Sequence, residues 1–372
     1  MSILNLTEAE LRSRRSMKWM AYPSDVLPLW VAEMDVMPHP KVREALSRAV
    51  EIGDLGYPWG LGYSQAFQAM AKKRWDWELP DKQIMTAGDV MANIQSILLA
   101  LTKPGDTVVI NPPVYPPFRK VITVYGRKIV EAPLSAAGRL DFATLEAAFA
   151  RPERPKAYLL CSPHNPTGTI HTREELTRLL ELANAHGVTV ISDEIHATLI
   201  DPGQVFTPIL TLPGSEAALS TTSAGKSWNL AGLKGGLVMG GADSILPLLR
   251  PILGNQGGHL AYLAHTAALT YAQGWVDDLM AEVAANKQLL AQTLAEKLPQ
   301  VRYSPAQGTY LAWLDCTDLG LADPKQAFAE RGRVAFNAGA DFGVEHRQWV
   351  RVNLACNPDF ISEAVDRMAA SL

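Results

Sequence analysis

Three polar side chains, an amide, an acid and an amine, each follow a short run that reads as a strand. Asn165 comes after Ala157-Tyr158-Leu159-Leu160-Cys161, Asp193 after Val188-Thr189-Val190-Ile191, and Lys226 after the run from Ala218 to Thr222. Short β-branched and apolar runs read as buried strands. In an open parallel sheet, ligands bind beyond the carboxyl ends of the strands. An amide, an acid and an amine gathered there would make a site for a small polar ligand. Gly88 follows Ile84-Met85-Thr86 at a strand-to-helix junction and adds a helix N-terminus, where backbone N–H groups can receive a phosphate. Taken singly, an aspartate after a strand caps a turn and a lysine there is a solvated surface group. Their convergence is what suggests a site. Arg351 supplies a further cation in Trp349-Val350-Arg351-Val352-Asn353, an alternating apolar strand. An unpaired guanidinium would be costly there, which favours a functional role over solvation.

The elements that must position these groups are legible. Thr172-Arg173-Glu174-Glu175 has capping-box spacing, Leu176, Leu179, Leu180 and Ala183 form one apolar stripe, and Gly187 ends the helix. Strand, helix and strand at this spacing make a βαβ unit, hence a parallel sheet. A second unit runs from Ile84 through a helix ending near Gly105 to a strand at Thr107–Ile110, and Gly236 to Gly240 is a further strand candidate. From about Trp275 the pattern changes to one long helix and then a region rich in Trp, Tyr and β-branched residues. The expected architecture is α/β: a large domain with a mostly parallel sheet flanked by helices, plus a smaller α+β domain. Residues 45–274 would form the large domain and 275–372 the small one, with 1–44 packing against the small domain.

Composition narrows the function classes. Among 372 residues, 34 basic and 38 acidic side chains give a net charge of −4, which offers no footprint for nucleic acid. With 48% hydrophobic and 19% charged residues, the chain can bury a large core. Arg12, Arg14 and Arg15 form the densest basic cluster and read as a solvated helix face. Nothing approaches the ~18 consecutive apolar residues of a membrane span, and no secretory signal is expected. Cys161, Cys316 and Cys356 cannot all pair and fit no metal motif, so free thiols in a reducing cytoplasm are expected.

Longer blocks add a family resemblance. T-S-A-G-K (222–226), with S-W-N-L-A-G-L-K after it, resembles the cofactor-lysine segment of fold-type I pyridoxal-phosphate enzymes of the class I/II aminotransferase superfamily. S-P-H-N-P-T-G (162–168) and S-D-E-I-H (192–196) match in order and spacing. W-V-A-E-M-D (30–35) is similar to the cystathionine β-lyase branch called MalY/PatB-like, as are P-V-Y-P-P-F (113–118), G-T-Y-L-A-W-L-D (308–315) and V-R-V-N-L-A-C (350–356). These blocks span nearly the whole chain.

The resemblance implies roles residue by residue. Lys226 would attach the aldehyde of pyridoxal 5′-phosphate and, once displaced, move the substrate's Cα proton. Asp193 would keep the pyridine nitrogen protonated, Asn165 would bond the ring's 3′-oxygen, and Tyr115 would stack on the ring. His196 stands where transaminases commonly place a tyrosine. Gly88, Asp89 and Val90 would offer backbone N–H groups to the phosphate, provided the Asp89 carboxylate turns aside to cap the helix. Ser223 and Lys234 match a phosphate-binding hydroxyl and cation; Lys234 replaces an arginine found in many relatives. Tyr57, in G-Y-P-W-G, would reach the phosphate of a neighbouring subunit, which implies a homodimer with shared sites. Arg351 would grip the substrate α-carboxylate in a bidentate pair, and the Ala32 N–H would share it.

The expected function is C–S β-lysis of L-cystathionine or a related L-cysteine S-conjugate to a thiol, pyruvate and ammonia. An aminotransferase would use the same residues up to loss of the Cα proton. A cofactor-holding regulatory protein would not need the lysine, aspartate and arginine together. A dinucleotide-binding oxidoreductase lacks its G-x-G-x-x-G turn.

Overall fold

The computed structural model describes residues 2–254 and 256–372. In chain order the strands are β1 (Leu27–Pro28), β2 (Ile84–Ala87), β3 (Thr107–Ile110), β4 (Lys128–Glu131), β5 (Ala157–Cys161), β6 (Thr189–Asp193), β7 (Leu219–Thr222), β8 (Gly236–Gly240), β9 (Leu311–Asp315), β10 (Val334–Ala335), β11 (Asn337–Ala338) and β12 (Trp349–Asn353). A seven-stranded sheet has the order β2-β8-β7-β6-β5-β3-β4. The neighbours from β7 to β4 are parallel, and β8 alone runs against them, pairing antiparallel with both β2 and β7.

Alternation along the strands explains why helices cover both faces. Val108, Ile110, Leu159 and Ile191 pack with Ile94, Ile97 and Leu98 of the helix Val90–Leu101. Val109, Tyr158, Leu160 and Val190 point the other way, onto Leu176, Leu179, Leu180 and Ala183 of the helix Arg173–His186. That helix starts at the Thr172 capping box and stops at Gly187, whose φ of 67° is left-handed. The sequence reading did not identify β4. It is an edge strand with only Val130 buried, and the charged residues at its ends, Lys128 and Glu131, are exposed, so it carries little apolar signal.

The small sheet, β11-β12-β9, is antiparallel and places Arg351 opposite both Trp313 and Asn337. The helix Gln273–Lys297 accounts for the long helical pattern after Trp275. β1 pairs parallel with β10. Asp35 N–H donates to Ala355 O and Asn353 N–H donates to Leu29 O, at 2.9 Å each, so the segment near residue 30 lies beside β12.

Arg12, Arg14 and Arg15 do not form the solvated helix face that their sequence suggests. The helix there is only Glu8–Leu11, and the cluster follows it. Arg12 donates to Glu8 and to Val26 O, and Arg14 donates to Met34 O at 3.4 Å and Val36 O at 2.8 Å. Arg12 and Arg14 are therefore half-buried clamps on chain carbonyls, and Arg15 alone is exposed. Beneath them Lys18 and Asp35 form a fully buried ion pair at 2.7 Å. No helix among the described residues is long and apolar enough to cross a membrane.

Candidate active site

Strand ends in the large sheet converge on one cavity of about 210 Å³. Asp193 terminates β6, Asn165 lies in the loop after β5, and Ser223 and Lys226 follow β7 directly. Asp89 follows β2 and caps the helix Val90–Leu101. Arg351 arrives from β12 and Ala32 from the segment beside it. Val90, Tyr115, His196 and Lys234 complete the sequence-selected residues that line the cavity. A larger surface cleft of about 1460 Å³ holds none of them, so volume alone does not locate the chemistry.

Two selected residues lie elsewhere in the geometry. Gly88 sits just behind the lining, its carbonyl accepting from Asn93 Nδ2 at 3.0 Å. Only glycine fits opposite it: a Cβ on Gly236 would lie 2.4 Å from Gly88 O. Tyr57 is fully exposed on its own chain's surface and does not enter that chain's cavity.

Lys226 Nζ donates to Ala32 O at 2.7 Å. Burial, reinforced by the Arg351 charge, lowers its pKa to about 8, so the amine sheds its proton far more readily than a surface lysine does. Asp193 is buried, accepts from Ile195 N–H at 3.1 Å, and is pushed up to about 7 by burial. His196 is held neutral, its pKa lowered to about 3 by burial, with its ring edge on Tyr310 at 6.3 Å. Burial also raises the pKa of the Tyr115 hydroxyl.

Arg351 is the informative cation. It is 4% exposed and donates to Asn165 Oδ1 at 3.0 Å, Asn337 Oδ1 at 2.6 Å and Trp30 O at 3.2 Å, all neutral acceptors. Its Nε has no hydrogen-bond partner among the described residues, and burial lowers its pKa to about 10. A buried guanidinium without a carboxylate is costly, and a ligand carboxylate would offset that cost.

The Asp89 side chain accepts from Ala92 N–H at 3.1 Å and pairs with Lys234 at 3.1 Å. It thus caps the helix as expected, and Lys234 offsets its charge. Ser223 Oγ accepts from Gly225 N–H at 2.9 Å and donates to Gly235 O at 2.6 Å.

These residues fit pyridoxal 5′-phosphate on the chain's own evidence. The buried Asp193 carboxylate has no bonded cation among the described residues, which suits it to a protonated ring nitrogen. A buried amine of lowered pKa suits an aldehyde, and a helix N-terminus beside Lys234 suits a phosphate. Sequence reasoning missed Val31, Met91, Cys161, Ile195, Ala231 and Gly235 in the lining. Cys161 and Ile195 could have been found, since they lie at the end of β5 and two residues beyond β6.

Asp193 carries a pH prediction. Its folded pKa, about 7, exceeds the ordinary 3.8, so the folded state holds this proton where the unfolded chain has lost it. Stability therefore falls as pH rises from about 4 to 7. Asp193→Asn removes this contribution. The buried histidines remain in both proteins, as does Glu194, raised to about 7 chiefly by burial and least by the Asp193 charge, so their contributions largely cancel in the difference. The melting temperature of cofactor-free Asp193→Asn, relative to the parent, is expected to climb between pH 4 and 7 and then level off. The full effect is on the order of 4 kcal/mol. A flat difference across that range would show that Asp193 is not desolvated.

Comparison with known proteins agrees with this geometry. The family model "Aminotransferase class I and II" matches residues 24–368. The chain is 45% identical over 390 residues to a putative cystathionine β-lyase of Mycobacterium leprae, covering 99% of this chain and 97% of that protein. It is 31% identical to the cystathionine β-lyase PatB of Bacillus subtilis, covering 99% and 100%. The crystal structure of cystalysin from Treponema denticola, which contains pyridoxal 5′-phosphate, superposes with a TM-score of 0.92 at 25% identity, covering 100% and 98%.

Proposed function

The chain belongs to the aminotransferase class I and II family, and from that premise we propose that it is a pyridoxal 5′-phosphate-dependent C–S β-lyase of the cystathionine β-lyase type. The substrate is L-cystathionine or a related L-cysteine S-conjugate; the products are a thiol (homocysteine from cystathionine), pyruvate and ammonia. The observation that carries the reading is the pairing, in one cavity, of a lysine amine of lowered pKa with a buried guanidinium bonded only to neutral acceptors.

When bound, pyridoxal 5′-phosphate supplies an aldehyde for the substrate amine and a ring that accepts the electron pair left at Cα. The chain's residues do the rest. Arg351 binds the α-carboxylate and fixes which bond at Cα faces Lys226. The Lys226 amine takes the Cα proton, and its nearness to neutrality around pH 8 suits it as the base. The electron pair expels sulfur from Cβ, the thiolate gains a proton, and one water releases the three-carbon remainder as pyruvate and ammonia. Asp193, as a carboxylate, holds the ring nitrogen's proton in place. Asn165 is held by Arg351 and ties the carboxylate and ring subsites together. Lys234, Ser223 and the N–H groups near Asp89 would hold the phosphate end, and Tyr115 would pack on the ring. Neutral His196 contributes polarity without a competing charge.

We further read the chain as a cofactor domain over 45–274 and a small domain over 275–372 carrying residues 1–44, a reading supported by the β1–β10 pairing. A homodimer in the cytoplasm completes the proposal. Its support is the exposed Tyr57 and Trp59 on one loop, 101% and 84% accessible, placed to serve a second copy, and three buried free cysteines.

The deciding experiment supplies L-cystathionine to the cofactor-loaded enzyme without a 2-oxo acid. Pyruvate and free thiol should appear together in equal amounts. Turnover that begins only when a 2-oxo acid is added would assign the chain to transamination.

A further inference from the structure

The segment Trp30–Met34 is held by its carbonyl oxygens. Arg351 donates to Trp30 O at 3.2 Å. Asn353 Nδ2 donates to Val31 O at 2.8 Å and Glu33 O at 2.6 Å, and Asn229 bonds both the N–H and the carbonyl of Met34 at 2.9 Å. The Ala32 carbonyl at the centre is thereby immobilised. It accepts from Lys226 Nζ at 2.7 Å and, at 3.1 Å, from the hydroxyl of Tyr310.

Tyr310 is itself rigid. It is fully buried, its carbonyl accepts from Leu354 N–H at 2.8 Å, and its ring meets His196 edge-on. The preceding Thr309 has a φ of 62° and donates its N–H to Leu199 O at 2.7 Å.

We propose that Tyr310 is a positioning residue: by donating to the Ala32 carbonyl it shares the acceptor that anchors the Lys226 amine and tilts that amine toward its reactive, unprotonated form. A carbonyl oxygen has two lone pairs, and an ammonium needs acceptors more than a neutral amine does. With one lone pair committed to Tyr310, the bond that would stabilise the ammonium is weakened. The other groups facing Lys226 are Arg351 and Lys234, which oppose its protonation, and Glu33 and Asp193, which favour it. Around Tyr310 stand Arg351, Glu33, Tyr115 and the neutral His196. Glu33 is also engaged by the Ser16 hydroxyl at 2.5 Å. The inference rests on the lyase reading only in taking Lys226 as the reacting amine.

The test measures covalent capture of pyridoxal 5′-phosphate by full-length, cofactor-free protein, followed by absorbance from pH 6.5 to 9.5. Capture should be lost in Lys226→Ala, and undiminished capture there would overturn the proposal together with its premise. In Tyr310→Phe the pH midpoint should move up by about half to one unit, slowing capture at pH 7.5 by roughly 3- to 10-fold. Tyr310→Leu also removes the ring. It should show the same midpoint and a lower melting temperature. A midpoint unchanged or lowered in Tyr310→Phe overturns the proposal, as does a shift seen only in Tyr310→Leu, which would mark a packing effect. None of these readouts depends on thiol release. Failure of lysis with an intact midpoint shift would therefore count against the lyase reading alone.

Discussion

Lys226→Ala should lose at least ~10⁴-fold in kcat, because one change removes both the covalent anchor for the cofactor and the base at Cα. The expectation is sharp because the side chain contributes little to the fold. It makes one hydrogen bond, to Ala32 O, and that oxygen keeps the Tyr310 hydroxyl as a donor when the lysine is gone. Burying the amine also costs desolvation energy, which the variant recovers. The melting temperature of the cofactor-free variant should therefore match or exceed that of the parent. Steady-state assays and thermal melts on the same preparation check both halves. Retained turnover would remove Lys226 from the chemistry, and a collapse in stability would show that the loss was structural.

Arg351→Lys should lower kcat/KM by about 10²- to 10³-fold, mostly through KM. An ammonium keeps the positive charge and forfeits the planar fork. It cannot reach Asn165, Asn337 and a substrate carboxylate in one plane as the guanidinium can. The loss should be largest for amino-acid substrates with a free α-carboxylate and small for an analogue in which that group is an amide. Cofactor affinity should change little, because the phosphate end of the cavity is built from Ser223, Lys234 and the helix at Asp89. Equal losses for acid and amide substrates would show that Arg351 supports the site without binding the carboxylate.

The strands before Asn165 and Asp193 were legible because each carries an apolar, fully buried stretch, and the one before Lys226 because it is a short buried run rich in β-branched threonine, patterns that do not depend on neighbours. The caps at Thr172 and Gly187 were legible because they are local chemistry. β4 was not, since an edge strand needs little apolar surface and is recognised by its partner β3. The arginines after Leu11 were misread for a related reason. Their acceptors, Val26, Met34 and Val36, lie 14 to 22 residues away along the chain.

The sequence by itself determined the chemical inventory: an amine, an acid and an amide at strand ends, an arginine in an apolar strand, and motifs sufficient to place the family. Residue type and short-range pattern carry all of that, because strand burial and helix capping are decided within a few residues. Only the tertiary structure decided the charge states and the partners. Burial lowers the Lys226 pKa to about 8 and brings Asp193 near half-protonation at neutral pH, and it sums contributions from several elements. Tyr310 and Ala32, 278 residues apart, become hydrogen-bonded neighbours only when the chain's two ends fold together over the strand ends. Desolvation and long-range hydrogen bonds depend on distances in space, and no local stretch of sequence encodes those.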